Sequence, residues 1–182
     1  MPSAQKRLIF LIGYMASGKT TLGRALAAST GMRFVDLDEF IEVEAGKSIN
    51  DIFAEDGESG FRRLESLILR KLTATDDDNI IVACGGGTPC FGDNMEVMNQ
   101  AGMTVWLTAP VEVIIRRLEA ERASRPLVAR LSDGDELKRY VMDNLEQRTP
   151  HYSRSKARFD SSKLECEAEI DESVKIFINR FL

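Results

Sequence analysis

The stretch GYMASGKTT, Gly13 to Thr21, matches G-x-x-x-x-G-K-[ST] and lies between an apolar run and a segment with helical spacing. Glycines let the backbone wrap an anion, while successive N–H groups and a helix N-terminus supply positive potential. Gly13, Ala16, Ser17, Gly18, Lys19, Thr20 and Thr21 are therefore candidates for a nucleotide-phosphate cradle. Lys19 is expected to reach the β- and γ-phosphates, and the Thr20 hydroxyl to hold Mg²⁺. The motif specifies a nucleotide rather than a reaction. The chain carries neither an N-K-x-D guanine reader nor a D-x-x-G switch, which moves the reading toward kinases of small metabolites.

RFVDLDEF, Arg33 to Phe40, places Asp36 and Asp38 one leucine apart at the end of an expected strand. Residues two apart on a strand share a face, with Cα atoms roughly 6.5–7 Å apart. Both carboxylates are thus expected at the carboxyl end of strand two, where open α/β sheets bind ligands. One would lie near a metal and the other near an acceptor hydroxyl. The structural alternative makes Asp38 the N-cap of the next helix and Asp36 a satisfied turn residue.

A second glycine cluster, CGGGTPC, follows the third apolar run. Gly85, Gly86 and Gly87 permit close backbone approach and offer N–H donors to a small ligand. The run before them, IIVAC, has no aspartate where many phosphate-loop proteins hold the metal. Metal support is then expected from Thr20, waters and Asp36.

Arg62 and Arg63 stand in GFRRLE with Glu65 one turn from Arg62, Arg125 precedes a proline in a long polar connection, and Arg148 ends a helix in EQRTPHY. Singly, each reads as a solvated arginine. Together they suggest selectivity for a small anion, because guanidinium forks bind carboxylates bidentately. His151, the only histidine, carries no acid–base partner signature, and Cys84 and Cys90 read as core fillers.

The elements that must position these residues alternate. Short apolar strands are expected at Arg7–Ile12, Met32–Leu37, Asn79–Cys84 and Met103–Thr108, with a weaker fifth in ARFDSS. Helices are expected from Lys19 to a stop at Gly31, from Asp38 to Gly46, and after a capping arrangement at Ser48–Asp51. A further stripe joins Phe61, Leu64, Leu67, Ile68 and Leu72, and others lie near Asn94–Gln100, Val111–Glu121, Asp135–Gln147 and Glu172–Phe181. Strands alternating with helices imply a parallel sheet covered on both faces.

At 182 residues the chain fits one domain, and a net charge of −5 argues against a nucleic-acid partner. Three cysteines without a C-x-x-C pair argue against a disulfide framework or zinc site and fit a reducing cytosol. No window approaches ~20 apolar residues, and the first apolar run is too short for a signal segment. A cytoplasmic location is expected, with no membrane partner.

Taken in order, GYMASGKTTLGRALA, FVDLDEFIE, FRRLE, CGGG and RPL…QRTPHY resemble the shikimate kinase family, from about Leu8 to Asp160. The resemblance implies an adenylate-kinase-like, three-layer α/β/α fold of the nucleoside-monophosphate-kinase type, with a five-stranded parallel sheet. It also implies a lid at about 120–133 and a substrate-binding region at about 38–70, within a single kinase domain spanning 1–182. The implied reaction is ATP plus shikimate giving 3-phosphoshikimate and ADP, on the chorismate route to aromatic amino acids.

By position, Asp38 matches the aspartate on the shikimate ring hydroxyls, and Asp36 the one near Mg²⁺. Arg62 and Arg148 match the arginines on the substrate carboxylate, and Gly86 the backbone contact. Arg125 matches the lid arginine that closes on the phosphates. Arg117 resembles the arginine that stacks near adenine, with Arg116 as a competitor. Two departures stand out: Ala16 where relatives often have glycine, and the segment after Phe159, which matches less well.

The mechanism implied is positioning and charge stabilisation, with Lys19, Mg²⁺ and Arg125 neutralising the transferring phosphoryl and Asp38 orienting the acceptor hydroxyl. A monomer is the expected state. The alternatives are another small-molecule kinase, such as a gluconate-type one, or a nucleotide-dependent switch.

Overall fold

The computed structural model describes residues 7–75, 79–121, 126–129, 131 and 134–182. Five parallel strands form one sheet: β1 (Leu8–Ile12), β2 (Arg33–Asp36), β3 (Ile80–Ala83), β4 (Met103–Thr108) and β5 (Ala157–Asp160), in the order β2-β3-β1-β4-β5. All five residues of β1 are buried, because it is central and both faces are covered. Alternation then sorts them. Leu8, Phe10 and Ile12 join one core, while Ile9 and Leu11 join the other.

The helices are α1 (Lys19–Thr30), α2 (Leu37–Ala45), α3 (Ile49–Thr73), α4 (Asn94–Ala101), α5 (Val111–Ala120), α6 (Pro126–Ala129), α7 (Gly134–Tyr152) and α8 (Glu167–Phe181). Leu22 and Leu26 of α1 and Val174 and Phe177 of α8 cover one face. Ile41, Phe61, Ile68, Met98, Ile114 and Val141 cover the other from α2, α3, α4, α5 and α7. No helix among the described residues is long and apolar enough to cross a membrane.

The strand order explains why two distant glycine loops meet. The chain leaves β1 toward β2 on one side and returns past it from β3 to β4 on the other, which opens a crevice at the carboxyl ends of neighbouring β1 and β3. The Cys84 N–H bonds the Leu11 carbonyl at 3.0 Å, extending that pairing to the point where both loops begin.

Several expectations need correction. β2 ends at Asp36 and Leu37 is already helical, one residue before the expected helix start at Asp38, so the two aspartates do not share a strand face. The N-cap is Asp36, whose Oδ1 accepts from the Asp38 N–H at 3.1 Å; Asp38 caps nothing. The two helices expected after Ser48 form one 25-residue element broken at Gly57, where φ is 67°. Leu67 is 64% exposed and leaves the stripe, which runs instead through Phe61, Glu65, Ile68, Leu69 and Leu72. α7 continues past Gln147 through Pro150 to Tyr152, and α8 starts at Glu167 rather than Glu172.

Candidate active site

The loop after β1 is shaped by positions where a side chain does not fit. Gly13 has φ +143°, and a Cβ there would lie 2.7 Å from the Leu107 carbonyl oxygen. Gly18 has φ +88°, and a Cβ would lie 2.5 Å from Leu164 Cδ1. Ala16 takes φ +59° despite its methyl group, so the loop demands a left-handed turn there and the departure at this position strains it. Helix α1 then opens with no side-chain cap, leaving its first turn facing the cavity. The Lys19 ammonium donates to the Gly13 and Tyr14 carbonyls at 3.0 and 2.9 Å.

A cavity of about 660 Å³ lies over this loop, lined among others by Lys19, Thr20, Asp36, Asp38, Gly85 and Gly86. The Thr20 hydroxyl donates to Asp36 Oδ2 at 3.1 Å while Oδ1 of the same carboxylate caps α2. Cap chemistry thus aims Asp36 at the phosphate-loop hydroxyl and places Asp38 two residues on, in the first turn of α2 and in the cavity lining. Burial, reinforced by the neighbouring Asp36 and Glu65 carboxylates, pushes Asp38 up to about 6.

The loop after β3 meets two arginines. A Cβ at Gly87 would lie 2.6 Å from an Arg62 Nη, and one at Gly86 would lie 3.2 Å from Arg148 Nη1. Arg62 lies over the Phe91 and Phe61 rings, with Cζ 4.0 and 5.0 Å from the centroids. Its Nη1 donates to Glu65 at 2.9 Å. Glu65 is fully buried and also accepts from the Thr88 hydroxyl at 2.6 Å, so a buried carboxylate is satisfied from two elements. Arg148 lies 5.5 Å above the Tyr14 ring, and the Tyr152 phenol donates to the Gly86 carbonyl at 2.6 Å.

At the other end, Arg117 donates through Nη1 to the Ala16 carbonyl, through Nη2 to the Ser161 and Ser162 carbonyls, and through Nε to Glu165 at 2.8 Å. Its in-plane donors are thereby engaged with the phosphate loop and the segment after β5, which leaves the guanidinium faces for stacking. Arg116, far more exposed, meets Glu165 at 3.1 Å.

The fold thus brings together Gly13, Ala16, Ser17, Gly18, Lys19, Thr20, Thr21, Asp36, Asp38, Gly85–Gly87, Arg62, Arg148 and Arg117. Arg125 lies outside the described residues, as do parts of the expected lid. Cys84 belongs to the cavity lining and to the core beneath it, and burial pushes its thiol far above the ordinary range, in keeping with a core filler. Sequence reasoning missed roles for Thr88, Tyr152 and Glu165, and noted Glu65 only as a neighbour of Arg62. One signal was available: Glu65 stands four residues after Phe61 and three before Ile68, inside the apolar stripe.

Comparison with known proteins gives a consistent result. The family model described as shikimate kinase matches residues 15–179. The chain is similar to the shikimate kinase of Phocaeicola vulgatus, 46% identical over 166 residues that cover 91% of this chain and 93% of that one. With the shikimate kinase of Parabacteroides distasonis it shares 41% identity, covering 90% and 93% of the two chains. Among solved structures, the shikimate kinase from Bacteroides thetaiotaomicron superposes with a TM-score of 0.86 at 38% identity, covering 95% of this chain and 96% of that one. The Acinetobacter baumannii shikimate kinase in complex with shikimate does so with a TM-score of 0.78 at 33% identity, covering 95% and 92%. With its phosphate loop, carboxylates and arginines gathered in one crevice, the chain belongs to the shikimate kinase family.

Proposed function

We propose that this crevice carries the γ-phosphoryl of ATP to the 3-hydroxyl of shikimate, with roles divided along the row Thr20–Asp36–Asp38. The observation that carries the reading is that row itself, which runs from the phosphate loop to the glycine loop that Arg62 and Arg148 flank. The first-turn amides of α1, with Lys19, receive the nucleotide phosphates. Thr20 and Asp36 offer oxygen donors suited to Mg²⁺ and would hold it beside the nucleotide phosphates. When bound, that ion would neutralise charge on the phosphate oxygens.

Asp38 hydrogen-bonds the acceptor hydroxyl and orients it for in-line attack; its raised proton affinity also suits it to take that proton. Arg62 and Arg148 hold the acceptor carboxylate, with the amides of Gly85–Gly87 between them. Arg117 supports the adenine seat with its free faces. Arg125 closes on the phosphates from a lid at about 120–133, excluding water that would otherwise hydrolyse ATP. The substrate-binding region is about 38–70, and the protein acts as a single-domain monomer in the cytoplasm.

An ADP-release assay with shikimate, with gluconate and with no acceptor tests the assignment. Fast release with shikimate alone is expected. Equal release without an acceptor would indicate an NTP-hydrolysing switch, and preference for gluconate a different small-molecule kinase.

A further inference from the structure

The three carbonyls of the Gly85–Gly87 loop are all engaged, but not in the same way. The Gly85 carbonyl accepts from the Thr88 N–H at 3.1 Å and the Gly87 carbonyl from the Cys90 N–H at 2.8 Å, both within the loop. The Gly86 carbonyl is held from another element, by the Tyr152 phenol at 2.6 Å, 66 residues away. None of the three glycine amides donates to a protein acceptor among the described residues. Because a peptide unit is planar, fixing the Gly86 carbonyl fixes the direction of the Gly87 N–H.

Tyr152 is fully buried, and its ring lies against Trp106 with centroids 5.6 Å apart. Arg148 stands one turn earlier on α7, beside both the phenol and Gly86. One helical turn therefore carries an arginine that faces the glycine loop and a hydroxyl that orients it.

We propose that Tyr152 is a positioning residue for the acceptor carboxylate, setting the Gly86–Gly87 peptide against Arg148; this rests on the reading of that loop as the carboxylate seat. Phenylalanine would fill the same volume, so the hydroxyl's own contribution is separable from packing.

The test compares wild type, Tyr152→Phe and Trp106→Phe with shikimate and with its methyl ester, which lacks the carboxylate charge. Loss of one hydrogen bond to a buried carbonyl should raise the shikimate KM of Y152F about tenfold, with smaller changes in kcat, in the ATP KM and in the ester KM. W106F, which alters the ring packed against Tyr152 but removes no hydrogen bond to the glycine loop, should keep the wild-type acid-to-ester ratio. A wild-type ratio in Y152F, an equal shift in W106F, or a Y152F that does not fold would overturn the proposal and leave the carboxylate seat standing. A wild type that turns over acid and ester alike would overturn the seat itself.

Discussion

Replacing Asp38 by asparagine should abolish most turnover and yet stabilise the fold, in a pH-dependent way. Burial first, then the Asp36 and Glu65 carboxylates, raise Asp38 from 3.8 to about 6. At 1.36 kcal/mol per pH unit, that displacement corresponds to ~3 kcal/mol of penalty on the ionised form. Because the folded state binds this proton more tightly than the unfolded state, the favourable contribution is fully present below pH 4. It is lost as pH rises through about 6. Above that, wild type carries the whole penalty and Asp38→Asn does not. Urea melts at pH 5, 6, 7 and 8 should therefore show the variant gaining on wild type as pH rises, by up to ~3 kcal/mol at pH 8. In a domain of this size the gain corresponds to roughly 6–12 °C in Tm. In wild type, kcat/KM for shikimate should rise with pH through about 6 as Asp38 ionises. A variant less stable than wild type at pH 8, or a gap independent of pH, would refute the burial argument. An active variant would remove Asp38 from the mechanism.

Lys19→Ala should eliminate phosphoryl transfer, read by ADP release, while thermal melts stay close to wild type; wild-type-like turnover would overturn the phosphate-loop assignment. Arg62→Ala and Arg148→Ala should each weaken shikimate by ~2 kcal/mol, about thirtyfold in KM, with ATP affinity largely kept; an unchanged shikimate KM in both would contradict the carboxylate clamp. Ala16→Gly should relieve the left-handed strain at φ +59° and stabilise the protein by ~1 kcal/mol in urea melts; a loss of stability would show that the loop does not need glycine geometry there.

Much of the fold was legible because local signals agreed with it. A continuous apolar run such as LIFLI reads as a strand buried on both faces, and αL glycines at Gly31 and Gly46 mark where α1 and α2 stop. The Asp36–Asp38 pair was read as functional but given the wrong geometry. Two-residue spacing suits a strand face equally well as a cap followed by the first turn of a helix, and it is the Asp36 cap on the Asp38 N–H, with α2 starting at Leu37, that decides between them. Glu65 and Tyr152 were harder, since each gains its role from a partner far along the chain: Thr88 for Glu65, Gly86 for Tyr152. Reading a buried carboxylate from sequence needs knowledge of the donors that make burial tolerable, and those arrive with the tertiary fold.

Every residue role above serves transfer from ATP to one hydroxyl of one acceptor. Phosphorus–proton correlation NMR on a reaction of the purified protein with ATP, Mg²⁺ and shikimate tests it most directly. The expected product is shikimate whose phosphorus couples to the proton on C3, formed one for one with ADP. Free inorganic phosphate with unmodified shikimate would contradict the account, as would phosphorus on a different hydroxyl.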